Sequence, residues 1–186
     1  MSIIQLRNVR LAFPVLWEPK TVQGEGEPAY SSAFLLPPDH PQIKEIQDAT
    51  ERVGKEKWKD QWPAVKKALT ASDKLALHDG DTKAQYAGYE GNLFINARSP
   101  ANKRPLVIDR DKTVLIAADG RPYAGCFVNA SLEIWAQSNG YGKRINASLR
   151  AVQFVKDGDS FGGGTPANAD EFDDLSNGAD NLEDVA

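Results

Sequence analysis

Aromatic rings recur at alternate positions among amides and cations in the second half of this 186-residue chain. In Asn92–Arg98 (NLFINAR), one parity carries Leu93, Ile95 and Ala97 and the other carries Asn92, Phe94, Asn96 and Arg98. In 127–136, the apolar parity is Val128, Ala130, Leu132 and Ile134; the other is Phe127, Asn129, Ser131, Glu133 and Trp135. Successive side chains of a strand point to opposite faces, so both segments set rings among polar groups on the face away from a core. Rings beside arginine can stack on unpaired bases while cations track the phosphates, at roughly 1–3 kcal/mol per base. Arg104, Arg110, Lys143, Arg144, Arg150 and the loop cations Lys103 and Arg121 lie in the same half. Tyr86, Tyr89, Tyr123 and Tyr141 fall in glycine-rich connectors, where a ring could swing onto a base. A second arrangement is open at this point: Phe94, Phe127 and Trp135 could bury against a helical segment at 41–71 and form a second small core.

Other chemistries find little to work with. The chain has no Gly-x-x-x-x-Gly-Lys-Ser/Thr, Gly-x-Gly-x-x-Gly, Gly-x-Ser-x-Gly or His-Glu-x-x-His sequence. One cysteine and two histidines exclude a disulfide framework, a cysteine-cluster zinc site and a His-rich metal site. His78-Asp79-Gly80-Asp81 could hold a divalent cation or serve a metal-dependent hydrolase, but its composition is that of a plain polar turn. Cys126, at an apolar strand start, reads as a small buried hydrophobe rather than a nucleophile. No enzyme activity, cofactor or metal is expected.

The elements that must position these residues follow from periodicity. Residues 3–17 are β-rich with a break at Pro14, residues 18–28 read as an exposed loop, and 29–36 read as a strand stopped by Pro37-Pro38. Asp39 is placed to cap a helix from Pro41, with Ile43, Ile46, Ala49 or Thr50, and Val53 at helical spacing. Gly54 is a candidate interruption. A second helical stretch over 55–71 carries Trp58, Trp62, Val65 and Leu69, with Pro63 as a break or restart and its lysines on a solvated face. Strands are expected at 92–98, 104–110, 126–136 and 143–156, with Asn139-Gly140 turning a hairpin between the last two. The expected class is mainly β: an OB-fold-like five-stranded barrel with a helical insertion after the second strand, although a β-sandwich with a helical excursion gives the same pattern.

Charge is segregated. Residues 1–82 hold 11 bases and 12 acids, residues 83–156 hold 11 bases and five acids, and residues 157–186 hold nine acids and no base. A basic body with an acidic end is the pattern of proteins that handle polyanions. The expected division is a domain over 1–160 and, over 161–186, a flexible Gly-rich linker with a disordered acidic tail. Within that tail Phe172, Asp173, Asp174, Leu175, Leu182, Glu183 and Asp184 are the candidate docking points for a partner. No apolar run is long enough to cross a membrane and no secretion signal opens the chain, so a cytoplasmic location is expected.

Several blocks together resemble a phage single-stranded-DNA-binding protein family. They are Asn8–Pro14 (NVRLAFP), Gly91–Ser99 (GNLFINARS), Arg104-Pro105, Tyr123–Ser131 (YAGCFVNAS), and Leu149–Asp159 (LRAVQFVKDGD) with Phe161-Gly162-Gly163. The resemblance implies an OB-fold, sequence-independent binding of single-stranded DNA, and a role in phage replication, recombination or repair. It also implies a tail that competes with DNA and contacts replication or recombination proteins. Many such tails end in an aromatic residue; this one ends Leu182-Glu-Asp-Val-Ala186. The expected partners are single-stranded DNA, proteins reached through the tail, and a second copy of the chain. An RNA-binding or annealing protein and a non-enzymatic interaction module are the alternatives.

Overall fold

A computed structural model of the chain describes residues 1–162. Strands β1 (Ser2–Val22) and β2 (Glu25–Leu36) form one long hairpin. Helices α1 (Ile43–Trp58) and α2 (Trp62–Ala71) follow, and then short β3 (Leu77–Asp79), β4 (Leu93–Pro100), short β5 (Leu106–Ile108), β6 (Phe127–Asn139) and β7 (Gly142–Lys156). β1 pairs antiparallel with β2 and β6, β2 with β4, and β6 with β7. A parallel contact of β4 with β7, at Arg98 and Ser148, closes the ring β1-β2-β4-β7-β6. That is the expected five-stranded OB-type barrel; β3 and β5 are added at its margins.

The interior follows the alternation. Leu6, Leu11, Phe34, Leu36, Ile95, Val128, Leu132, Ile134, Ile145 and Val152 are all fully buried. Ile46, Ala49, Val53, Trp62 and Leu69 of the helices join the same cluster, so the insertion packs its apolar stripe onto the barrel core. Cys126 is buried within it, and burial pushes its thiol up to about 11, consistent with a packing role.

Four local expectations change. Residues 18–28 are the exposed, continuous ends of the β1–β2 hairpin, because the turn needs only Gln23 and Gly24, both at positive φ. Asp39 does not cap α1. Gln42 stands at that position, and its side chain instead accepts from the Arg7 amide (2.5 Å) and donates to the Gln5 carbonyl (2.5 Å), tying the helix start to β1. Gly54 does not interrupt α1; a Cβ there would meet the Trp62 ring, so glycine is what lets α2 approach. The break falls at Lys59–Gln61, and α2 restarts with Pro63 in its first turn. The strand expected over 104–110 shrinks to Leu106–Ile108.

β1 also continues through Pro14, as a bulge. Ala12 faces Ala33 and Val15 faces Ser31, so β1 spends one extra residue where proline offers no N–H to the ladder. Phe13 absorbs the distortion with φ 46°, an uncommon conformation for a bulky residue.

Candidate nucleic-acid interface

The outward face of the ring can be followed strand to strand by register. Ser31 of β2 faces Arg98 of β4, and Arg98 faces Ser148 of β7 across the closure. Two and four residues earlier on β7, Asn146 and Arg144 face Trp135 and Gln137 of β6. Arg98, Arg144 and Asn96 are exposed, and Trp135 is half-buried. Arg98 donates to the Glu27 carbonyl (2.7 Å), which holds its side chain along β2. Asn146 donates to Gln137 (2.8 Å). Arg150 is the extra residue of a second bulge, between the pairs Ser131–Ala151 and Leu132–Leu149; it donates to Ser131 Oγ (3.2 Å) and stays exposed. Tyr141, at the tip of the β6–β7 hairpin, is 94% exposed. Arg98, Trp135, Arg144, Arg150 and Tyr141 therefore share one side of the barrel wall and its hairpin.

At the other end of this face the rings form a stack in depth. The Phe13 bulge turns its ring outward, where it meets Tyr86 edge-on at 5.1 Å and Tyr89 at 6.1 Å. Phe13 and Tyr86 are 55% and 43% exposed. Beneath them Tyr89 packs on Phe94 at 5.1 Å, with Ala12, Ala33 and Leu35. Tyr89 and Phe94 are buried, so neither is the accessible ring expected of it. The alternation put Phe94 on the outward face correctly, but the 80–91 connector covers it. A second small core does form, but of Phe94, Phe127 and Trp135 only Phe94 enters it, and its cover is this connector and Phe161 rather than the helices. Burial, followed by the Tyr86 neighbour, pushes the Tyr89 phenol up to about 12. Phe13 is the ring the strand-face reading missed: alternation carries no signal for a bulge, although Pro14 inside an apolar run was one; Tyr86 is one of the connector rings the sequence did point to.

The remaining candidates divide among other surroundings. Phe127 is already occupied. The Arg10 guanidinium lies 5.7 Å and the Lys156 ammonium 4.7 Å from its ring centre, and Gly158 packs on its edge. Tyr123 donates to Asp157 (2.6 Å), and burial together with that carboxylate pushes its phenol up to about 12. Arg121 pairs with Asp109 at 2.6 Å and holds that carboxyl below its usual range. Arg110 and Arg121 both lie 5.9 Å from the Phe154 ring, and with Tyr123 they line a separate groove beside Asp157. Lys103 and Arg104 are exposed on the loop after β4, Arg104 over Trp17 at 5.6 Å. Lys143 borders a shallow groove against α2. The seven tail candidates, Phe172 to Asp184, lie outside the described residues. The turn expected at His78-Asp79-Gly80-Asp81 starts later: His78 and Asp79 lie in β3 and Gly80-Asp81 open a 3-10 turn, with the two carboxylates accepting from the amides of Asp81 (2.9 Å) and Gly91 (2.7 Å).

The class defined here is an OB-type barrel whose open wall carries exposed rings and arginines. Residues 1–184 match the family model described as the single-stranded-DNA-binding protein of Enterobacter phage Enc34, and the chain belongs to that family. The single-stranded DNA-binding protein from bacteriophage Enc34, in complex with ssDNA, is 33% identical with a TM-score of 0.71, covering 86% of this chain and 89% of that one. Protein p50 of Acyrthosiphon pisum secondary endosymbiont phage 1 is 47% identical over 176 residues, 93% of this chain and 94% of that protein. Bacteriophage T7 gp2.5, a single-stranded DNA binding protein, shares the fold at 13% identity and a TM-score of 0.55.

Proposed function

We propose that this protein binds single-stranded DNA without sequence preference. The strand would run from the Phe13–Tyr86 corner along β2 and β4 to the β6–β7 hairpin. The observation that carries this reading is the exposed Phe13 ring, set by a strained bulge and met by exposed Tyr86, at the edge of a face bearing Arg98, Arg144 and Arg150. A bulky residue held at positive φ persists only where its surroundings over-determine it, and such sites cluster at ligand contacts. Base faces are free only in unpaired strands, so ring stacking selects single strands over duplex. Cations along the face release counterions from phosphate, which makes affinity fall with salt. The ssDNA complex of the Enc34 relative supports the reading.

The chain is read further as a protector of DNA during phage replication, recombination or repair in the host cytoplasm, with its nine-acid end as a competitor for the basic face and a contact for partner proteins. The deciding experiment is a salt series of oligo-dT and duplex binding by the full chain and by a chain lacking residues 163–186. Oligo-dT preference, a linear log–log salt dependence and tighter binding after deletion are expected. Equal affinity for duplex would reject the stacking mechanism, and unchanged affinity on deletion would reject the competing tail.

A further inference from the structure

Phe161 is the last ring before the described chain ends, and it is not part of the barrel core. Its amide donates to the Ala124 carbonyl (3.0 Å), and its side chain packs against the second small core at Leu35 and Gly88. Gly88 has φ +86° and no room for a Cβ, which would collide with the Phe161 ring. Over the ring, at 4.4 Å from its centre, lies the guanidinium of Arg10. That guanidinium is fixed: Nε donates to the Gly125 carbonyl (3.0 Å), Nη2 donates to the Asp159 carbonyl (2.9 Å), and Phe127 flanks it at 5.7 Å. The hollow thus offers a flat cation over a ring, an apolar floor, and a wall of backbone without a side chain.

Those are the requirements for holding a nucleobase: arginine planes stack on bases, and a six-membered pyrimidine ring has the outline of a phenyl ring. The hollow shares Tyr89 and Phe94 with the Phe13–Tyr86 corner. A strand stacked on that corner therefore has its neighbouring base beside the hollow. We infer that the Phe161 hollow is a nucleobase site which the chain's own ring fills when DNA is absent. Entry of a base expels Phe161. It also frees residues 157–162, whose grips on the barrel include the Phe161 amide on the Ala124 carbonyl, the Asp159 carbonyl on Arg10, and Asp157 and Gly158 on Tyr123. DNA binding then detaches the root of the acidic segment, in addition to any displacement of its charge. This inference rests on the single-stranded-DNA reading above.

The test uses the full chain, Phe161→Ala and Phe161→Trp, each with and without residues 167–186, titrated with oligo-dT. Hydrogen exchange of residues 156–162 is followed in the wild type. If the ring occupies the hollow nine-tenths of the time, its removal raises affinity about tenfold, since apparent affinity scales with the competent fraction. Tryptophan, a better partner for arginine, lowers it. The same tenfold gain is expected in the tail-deleted background, and oligo-dT should speed exchange at 157–162. Tight oligo-dT binding with unchanged or weaker affinity in Phe161→Ala, or slower exchange at 157–162 on binding, overturns the hollow alone. Absence of oligo-dT binding by every variant overturns the underlying reading with it.

Discussion

Phe13 carries both a backbone cost and an exposed ring, and two substitutions separate them. At φ 46° an L-residue costs about 1–2 kcal/mol more than glycine. Glycine gives back about 0.5–1 kcal/mol through the greater freedom of its unfolded chain. Phe13→Gly should therefore be more stable than Phe13→Ala by about 0.5–1 kcal/mol, or about 1–4 °C in Tm for a domain of this size. Relative to wild type, both lose the edge-on contact with Tyr86 at 5.1 Å and the contact with Tyr89, about 1 kcal/mol in total for a ring that is 55% exposed. DNA affinity is expected to ignore this difference. Both variants lose one stacking platform and should bind oligo-dT more weakly by about 1–3 kcal/mol, roughly five- to 150-fold. The assay is a pair of measurements on each variant: thermal unfolding, and intrinsic tryptophan fluorescence titrated with oligo-dT. Wild-type affinity in either variant would remove Phe13 from the interface. A glycine variant less stable than the alanine variant would refute the left-handed backbone on which the exposed ring depends.

Three further outcomes follow from individual contacts. Gly54→Ala should gain about 1 kcal/mol of helix propensity yet lose more by driving a Cβ into Trp62, for a net destabilisation of about 1–3 kcal/mol in urea unfolding; a stabilised variant would contradict the close approach of α2. Tyr89 and Tyr123 are both raised to about 12, so the fold favours their neutral phenols. Their contribution to stability is complete below the ordinary tyrosine range near pH 10 and is lost as pH rises through about 12. Ultraviolet titration should find two phenols titrating near pH 12, and Tyr123→Phe should remove one of them. Arg98→Ala should flatten the log–log salt dependence of oligo-dT binding by about 0.7, the loss of one phosphate contact to a single strand, with Tm nearly unchanged because the side chain is exposed; an unaltered slope would take Arg98 off the phosphate path.

Much of the barrel was legible because period-2 alternation survives in β4, β6 and β7. Ile95 and Ala97, and Val128, Ala130, Leu132 and Ile134, fall inside as the parity requires, with Asn96, Arg98 and Trp135 outside. Asn139-Gly140 marked the hairpin, and the spacing of Ile46, Thr50 and Val53 marked the buried stripe of α1. Parity assigns a side chain to a face, however, and says nothing about what lies over that face. Phe94 and Asn96 share one face of β4, yet Phe94 is sealed and Asn96 is open. The difference comes from residues 80–91 and from Phe161, segments whose polar and glycine-rich composition reads as connector and linker. The bulge at Phe13 was hidden for a related reason, since an extra residue shifts parity without changing composition.

The boundary between sealed and open wall also determines where a ligand can lie. Along β2 and β4, the pair Leu35–Phe94 is buried, Ala33–Asn96 is half open, and Ser31–Arg98 is open. Phe13 stands opposite that transition, because the bulge falls between its neighbours' pairings Ala12–Ala33 and Val15–Ser31. The rings nearest the apolar end can therefore stack without being swallowed, and the cations lie farther along, where side chains reach solvent. Arg10 fixes the other limit. It comes from the near-neutral first half of the chain, holds the carbonyls of Gly125 and Asp159, and clamps Phe161 over Leu35 and Gly88. The open wall thus ends where the acidic segment begins, and residues 157–161 form one margin of the proposed site. A change at Arg10 should consequently alter both the attachment of that segment and the length of wall offered to DNA, whereas a change at Arg98 should alter only the hold on the strand.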